Sequence, residues 1–135
     1  MDRDVLLIVA GSLAILGAAI HGGVGEALVV RKLSPGKLPS TPFGGPGMTK
    51  AMIRVAWHMA TIGLLTVGFA LLVAGSVLDG DTARGISLVA VGASTGFAVL
   101  AVGLGVYTQP VRSILLHPGP VLLTAIAAVA WWGVL

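Results

Sequence analysis

Residues 55–78 read VAWHMATIGLLTVGFALLVAGSVL, and no Asp, Glu, Lys or Arg interrupts them. An α-helix rises 1.5 Å per residue, so such a run is long enough to cross a hydrocarbon layer about 30 Å thick. Three further stretches share this character. Residues 5–30 are broken only by His21 and Glu26, residues 85–107 carry no charge, and residues 118–135 open on Pro118 and Pro120 and close near Trp131 and Trp132. Proline in the first turn removes an N–H that the helix does not use. The expected fold is all-α: a four-helix transmembrane bundle forming one membrane domain over residues 1–135.

Composition points the same way. Of 135 residues, 56% are hydrophobic and 10% charged, against about 25% charged in soluble domains. That is too little charge to coat a water-facing surface, so the lipid bilayer is the expected solvent. The absence of cysteine excludes a disulfide framework, thiolate metal sites and covalent Cys-x-x-Cys-His haem attachment. A net charge of +3 scattered over the chain gives no nucleic-acid surface.

Alternating spans put the N-terminus, the turn at residues 79–84 and the C-terminus on one side, with Arg3 and Arg84. The other side holds Arg31, Lys32, Lys37, Lys50, Arg54 and Arg112. The positive-inside rule assigns the richer side to the cytoplasm. Both termini are then extracytoplasmic, in a bacterial cytoplasmic membrane. Met1-Asp2-Arg3-Asp4 is not a cationic leader and the apolar run behind it is too long for a signal peptide, so the first span is expected to be retained. The connection at 31–50, RKLSPGKLPSTPFGGPGMTK, carries four prolines and four glycines. It reads as a flexible non-helical loop, with a lid as the alternative use. Glycines recur within the spans, including Gly92-Ala-Ser-Thr-Gly96. Such small faces allow close helix approach, either inside one chain or toward a homo-oligomer or partner membrane subunit.

The polar residues of the spans gather in one leaflet. His21 and Glu26 come late in the first span, Arg54 and His58 early in the second, and Tyr107 and His117 around the junction of the third and fourth. Ionisable groups in a span are costly in lipid and turn toward the protein interior. Arg54 and His58 share a helix face, and Thr61 continues it. His21 and Glu26 conflict with ideal geometry: five residues at 100° each leave them about 140° apart. Gly22, Gly23 and Gly25 leave room for a local distortion; otherwise Glu26 turns to pair with Arg54 or Arg31. Trp57, Trp131 and Trp132 read as interfacial anchors.

Imidazoles with a carboxylate suit zinc, copper or iron. His21, Glu26, His58 and His117 are therefore candidate metal ligands, with Arg54, Thr61 and Tyr107 in support. Alternatively His21 and His58 are axial ligands of haem b, the glycines beside His21 leaving space for a flat ring. Two readings need no cofactor: a structural or oligomeric subunit locked by these polar groups, and a small channel or transporter using His21, Glu26 and His58. No phosphate-binding loop or dinucleotide fingerprint is present, since GGVGE lies inside a span.

The elements His21-Gly-Gly-Val-Gly-Glu26, Arg54-Val-Ala-Trp-His58-Met-Ala-Thr61 and His117-Pro118 together resemble a group of small, functionally uncharacterised bacterial four-span integral membrane proteins. The resemblance runs over all four spans. It implies the bundle and the grouping of these residues, and names no substrate.

Overall fold

A computed structural model describes residues 2–108 and 110–135, and they are helical almost throughout, with no strand among them. Helix α1 covers Arg3–Ala19 and passes directly into a π-helical segment, Ile20–Val30. A short 3-10 turn, Pro35–Lys37, precedes α2, Pro46–Ser76. Then follow α3, Gly80–Thr108, the six-residue α4, Val111–Leu116, and α5, Pro118–Val134. Three helical stretches, Arg3–Val30, Pro46–Ser76 and Gly80–Thr108, are long and apolar enough to cross a membrane; Pro118–Val134 is a shorter apolar helix. The chain has the make-up of an integral membrane protein. Large apolar side chains such as Phe69, Val89, Leu100 and Leu104 stand exposed on its helices, faces that lipid rather than water would solvate.

Helix α2 begins within the stretch expected to be non-helical. Pro46 is its first residue, the one place where a missing N–H costs nothing. Gly44, at φ +155°, makes the turn that precedes it. Apart from the 3-10 turn, residues 31–45 stay irregular but are tied down: Thr49 Oγ1 donates to the Pro39 carbonyl at 2.7 Å and Lys50 Nζ to the Arg31 carbonyl at 3.2 Å.

The chain divides into two units, Met1–Gly17 with Leu64–Leu135, and Ala18–Gly63. The first is built on small residues. A methyl group at Gly68 would lie 2.6 Å from Ile15 Cγ1 and 2.9 Å from the Gly11 carbonyl oxygen, so α1 and α2 touch there nearly backbone to backbone. Leu7, Ala10, Leu71, Val91, Ile126 and Ala130 lie in its buried core. Arg3 Nη2 donates to the Val134 carbonyl at 2.8 Å, satisfying an end carbonyl of α5. Gly92, Gly96 and Gly103 have nothing within 4 Å of where a Cβ would stand, so the Gly92-to-Gly96 element is not used in packing within this unit. The second unit holds the π-helical segment, the irregular connection and the first half of α2.

Candidate functional site

The geometric conflict between His21 and Glu26 disappears because Ile20–Val30 is not an α-helix. In a π-helix each N–H reaches the carbonyl five residues back, so side chains five apart fall near one another. The Arg31 N–H donates to the Glu26 carbonyl at 2.9 Å, the five-residue pairing. His21 and Glu26 have that same spacing, and both side chains reach α2. π-Helical turns are uncommon and concentrate at functional sites; this one runs for eleven residues.

The glycines make the segment fit. A Cβ on Gly22 would lie 2.7 Å from Thr61 Cγ2, and one on Gly25 would lie 2.5 Å from Trp57 Cζ2. Trp57 and Thr61 are one turn apart on α2, and each packs where a glycine offers no side chain. The flat space expected beside His21 for a haem ring is thus filled at Gly22 and Gly25 by Thr61 and Trp57. Gly23 alone of the three has nothing near it.

His21 is held on three sides. Its ring stacks on the Trp57 indole, centroids 4.2 Å apart and planes 9° apart. The Trp57 Nε1–H donates to the His21 carbonyl at 2.9 Å, and His21 Nδ1 lies 2.9 Å from Thr61 Oγ1. That hydroxyl donates back to the Trp57 carbonyl at 3.1 Å. One hydroxyl has one proton. With that proton on the Trp57 carbonyl, Thr61 accepts from His21, and the tautomer that fits carries its proton on Nδ1 with a lone pair on Nε2; the opposite tautomer would instead take the Thr61 proton on Nδ1. Trp57 is therefore a stacking and hydrogen-bonding partner of His21, not merely an interfacial anchor. The sequence signal was its register: it stands four residues before Thr61 and faces Gly25.

Glu26 is the buried charge, its side chain only 8% exposed. Arg54 Nη2 approaches Oε1 at 2.8 Å and Arg31 Nε the same oxygen at 3.7 Å, while His58 Nε2 stands 3.5 Å from Oε2. The Arg54 and Arg31 side chains are 53% and 70% exposed, so water shares their solvation. Both arginines considered as partners of Glu26 take part. Neither carboxylate oxygen has a partner in hydrogen-bond alignment; the close Arg54 contact is an ion pair whose donor direction is off axis.

The 3.5 Å between Glu26 Oε2 and His58 Nε2 is too long for a good hydrogen bond. It matches the edge of a tetrahedral metal site, where ligands at 2.0–2.2 Å from the ion stand about 3.3–3.6 Å apart. Among the described residues no three His, Cys, Asp or Glu side chains already form a cage. His21, Glu26, Arg54, His58 and Thr61 all belong to the second unit. Tyr107 and His117 belong to the first. There His117 caps α5, its Nδ1 accepting from the Gly119 N–H at 3.2 Å, and Tyr107 is 90% exposed.

No known protein family, curated protein or solved structure matches the chain. The functional reading rests on the geometry.

Proposed function

We propose that the chain is a four-span protein of a bacterial cytoplasmic membrane, its termini extracytoplasmic, that binds a transition-metal ion between its first two spans. Glu26 Oε2, His58 Nε2 and His21 Nε2 are the ligands. The observation that carries this reading is the coordinating capacity of the cluster: a carboxylate without directed hydrogen bonds, an imidazole at tetrahedral-edge distance from it, and a second imidazole whose Nδ1 is engaged by Thr61, so that Nε2 is the nitrogen left for an ion. Fixing one ring nitrogen by a hydrogen bond while the other binds the ion, and steadying a ligand carboxylate through its second oxygen, are the outer-shell devices of metal sites. Arg54 on Oε1 supplies the second of these.

The ligand set selects among metals. Imidazole nitrogen suits zinc, copper and iron, while magnesium and calcium require more oxygen donors. With its single carboxylate shared between two arginines, the site has little to attract an ion by charge alone. The nitrogen ligands must contribute most of the affinity. Three protein ligands leave a fourth position for water. The filled space at Gly22 and Gly25 favours a single ion over haem b.

The test is metal analysis of the purified protein, followed by titration with cobalt(II) as a coloured probe. About one ion per chain and a tetrahedral cobalt absorption are expected, both lost in His58→Ala and Glu26→Gln. A Soret band lost in His21→Ala would assign haem instead. No metal, with stability lowered by each substitution, would assign the cluster a purely structural role as a membrane subunit. Topology is tested separately: a C-terminal reporter active only in the cytoplasm should stay silent.

A further inference from the structure

Residues 18–63 contain five cationic side chains, Arg31, Lys32, Lys37, Lys50 and Arg54, and one carboxylate, Glu26. Two of the cations are not dispersed. Arg54 Nη2 and Arg31 Nε approach the same oxygen of Glu26, at 2.8 and 3.7 Å, so the buried carboxylate gathers two guanidinium groups as neighbours. Lys50 is drawn to the same end, its ammonium donating to the Arg31 main-chain carbonyl at 3.2 Å. One carboxylate compensates one of these charges. The Arg31 and Arg54 side chains are more than half exposed, at the point where the first apolar stretch ends, since Arg31 directly follows Val30.

Glu26 is the unusual component. Surface arginines ordinarily repel one another and spread; here an acid more than nine-tenths buried holds two of them together. A guanidinium carries five donors in a planar fork, and an ion pair to one oxygen leaves most of each fork unused. A pair of forks at the end of a membrane helix is suited to a tetrahedral oxyanion carrying several acceptor oxygens.

We propose that Arg31 and Arg54, gathered by Glu26 and supplemented by Lys50, bind a phosphate group, supplied in the membrane by an anionic phospholipid headgroup. The phosphate oxygens take the outward donors of both arginines, and the acyl chains lie along the apolar faces below. Glu26 is a positioning residue. The proposal does not rest on the metal reading, whose ligands are the other oxygen of Glu26 and the histidines; the two share only the Arg54 contact on Oε1.

The full chain is reconstituted in nanodiscs of phosphatidylcholine alone, of phosphatidylcholine with phosphatidylglycerol, and of phosphatidylcholine with inorganic phosphate in the buffer. Thermal midpoint and lipid retained in native mass spectrometry are read in each. Phosphatidylglycerol is expected to raise the midpoint and to be retained on the protein. Arg31→Gln should weaken that retention about fivefold, the effect of one cation beside an anionic surface, while Lys37→Gln, in the 3-10 turn, should leave it unchanged. Arg31→Lys keeps the charge and loses the fork, and should fall between them; it serves as the reporter if Arg31→Gln does not fold. Inorganic phosphate that reproduces the midpoint shift and displaces the lipid would support the same site with free phosphate as its ligand. Equal midpoints in all three conditions would overturn the proposal. So would equal losses in Arg31→Gln and Lys37→Gln, the signature of diffuse attraction.

Discussion

The two units of this chain use polar groups differently. In the unit of residues 1–17 and 64–135, hydroxyls mostly fold back on their own helices: Ser12 to the Ile8 carbonyl, Ser76 to Leu72, Ser87 to Ala83 and Ser94 to Ala90, each donating four residues back at 2.6–2.9 Å. A group satisfied in this way costs little in an apolar setting and has no donor left for a ligand. In the unit of residues 18–63 Thr61 also folds back on its own helix, but polar side chains meet across helices as a cluster, His21 with Thr61, Trp57 with the His21 carbonyl and Arg54 with Glu26. Glycine is used differently as well. Gly11 and Gly68 bring backbones together, whereas Gly22 and Gly25 admit side chains. Close packing builds a scaffold in the one case and seats a site in the other.

The largest effect should come from filling a glycine seat. Gly25→Ala places a methyl group against the Trp57 ring and displaces it from His21. A stability loss of about 2–3 kcal/mol is expected for overpacking of this kind, together with loss of metal binding, read by unfolding in detergent and by cobalt titration. Gly68→Ala should destabilise by a similar amount, because its methyl group meets the Gly11 carbonyl and Ile15. It should leave metal binding per folded molecule unchanged. That pair of results would sharpen the contrast; metal binding lost equally in both would break it.

Glu26→Gln removes the charge on which both arginines converge. Breaking a fully buried pair costs about 3–5 kcal/mol, but the exposed arginines regain water, and about 1–2 kcal/mol is expected in the same unfolding measurement. Trp57→Phe retains a ring to stack on His21 and loses one hydrogen bond, for about 1 kcal/mol. Gly92→Ala, on an open face of α3, should change stability by about 0.5 kcal/mol or less. A larger loss there would reveal a helix packed on that face in the membrane.

The long apolar helices were legible in the sequence because hydrocarbon thickness fixes a length and tolerates few charges. The shared face of Arg54, His58 and Thr61 was legible because α2 is a regular helix. The relation of His21 to Glu26 was not. An α-helical wheel assigns them divergent directions, and only a change from four-residue to five-residue hydrogen bonding, permitted by Gly22, Gly23 and Gly25, brings them to the same neighbour helix. Trp57 was hidden for a related reason: its task depends on an opposing glycine 32 positions earlier in the chain. The start of α2 at Pro46 shows that a proline-rich stretch can contain a helix's first turn while its preceding residues remain irregular.

The central claim is the five-residue register of Ile20–Val30, and it can be read directly in lipid. With nitrogen-15 in the Arg31 amide and carbon-13 in selected carbonyls, solid-state NMR reports which carbonyl shares a hydrogen bond with that amide. The account predicts coupling to the carbonyl of Glu26. Coupling to Ala27 instead, the α-helical pairing, would return His21 and Glu26 to divergent faces and contradict it.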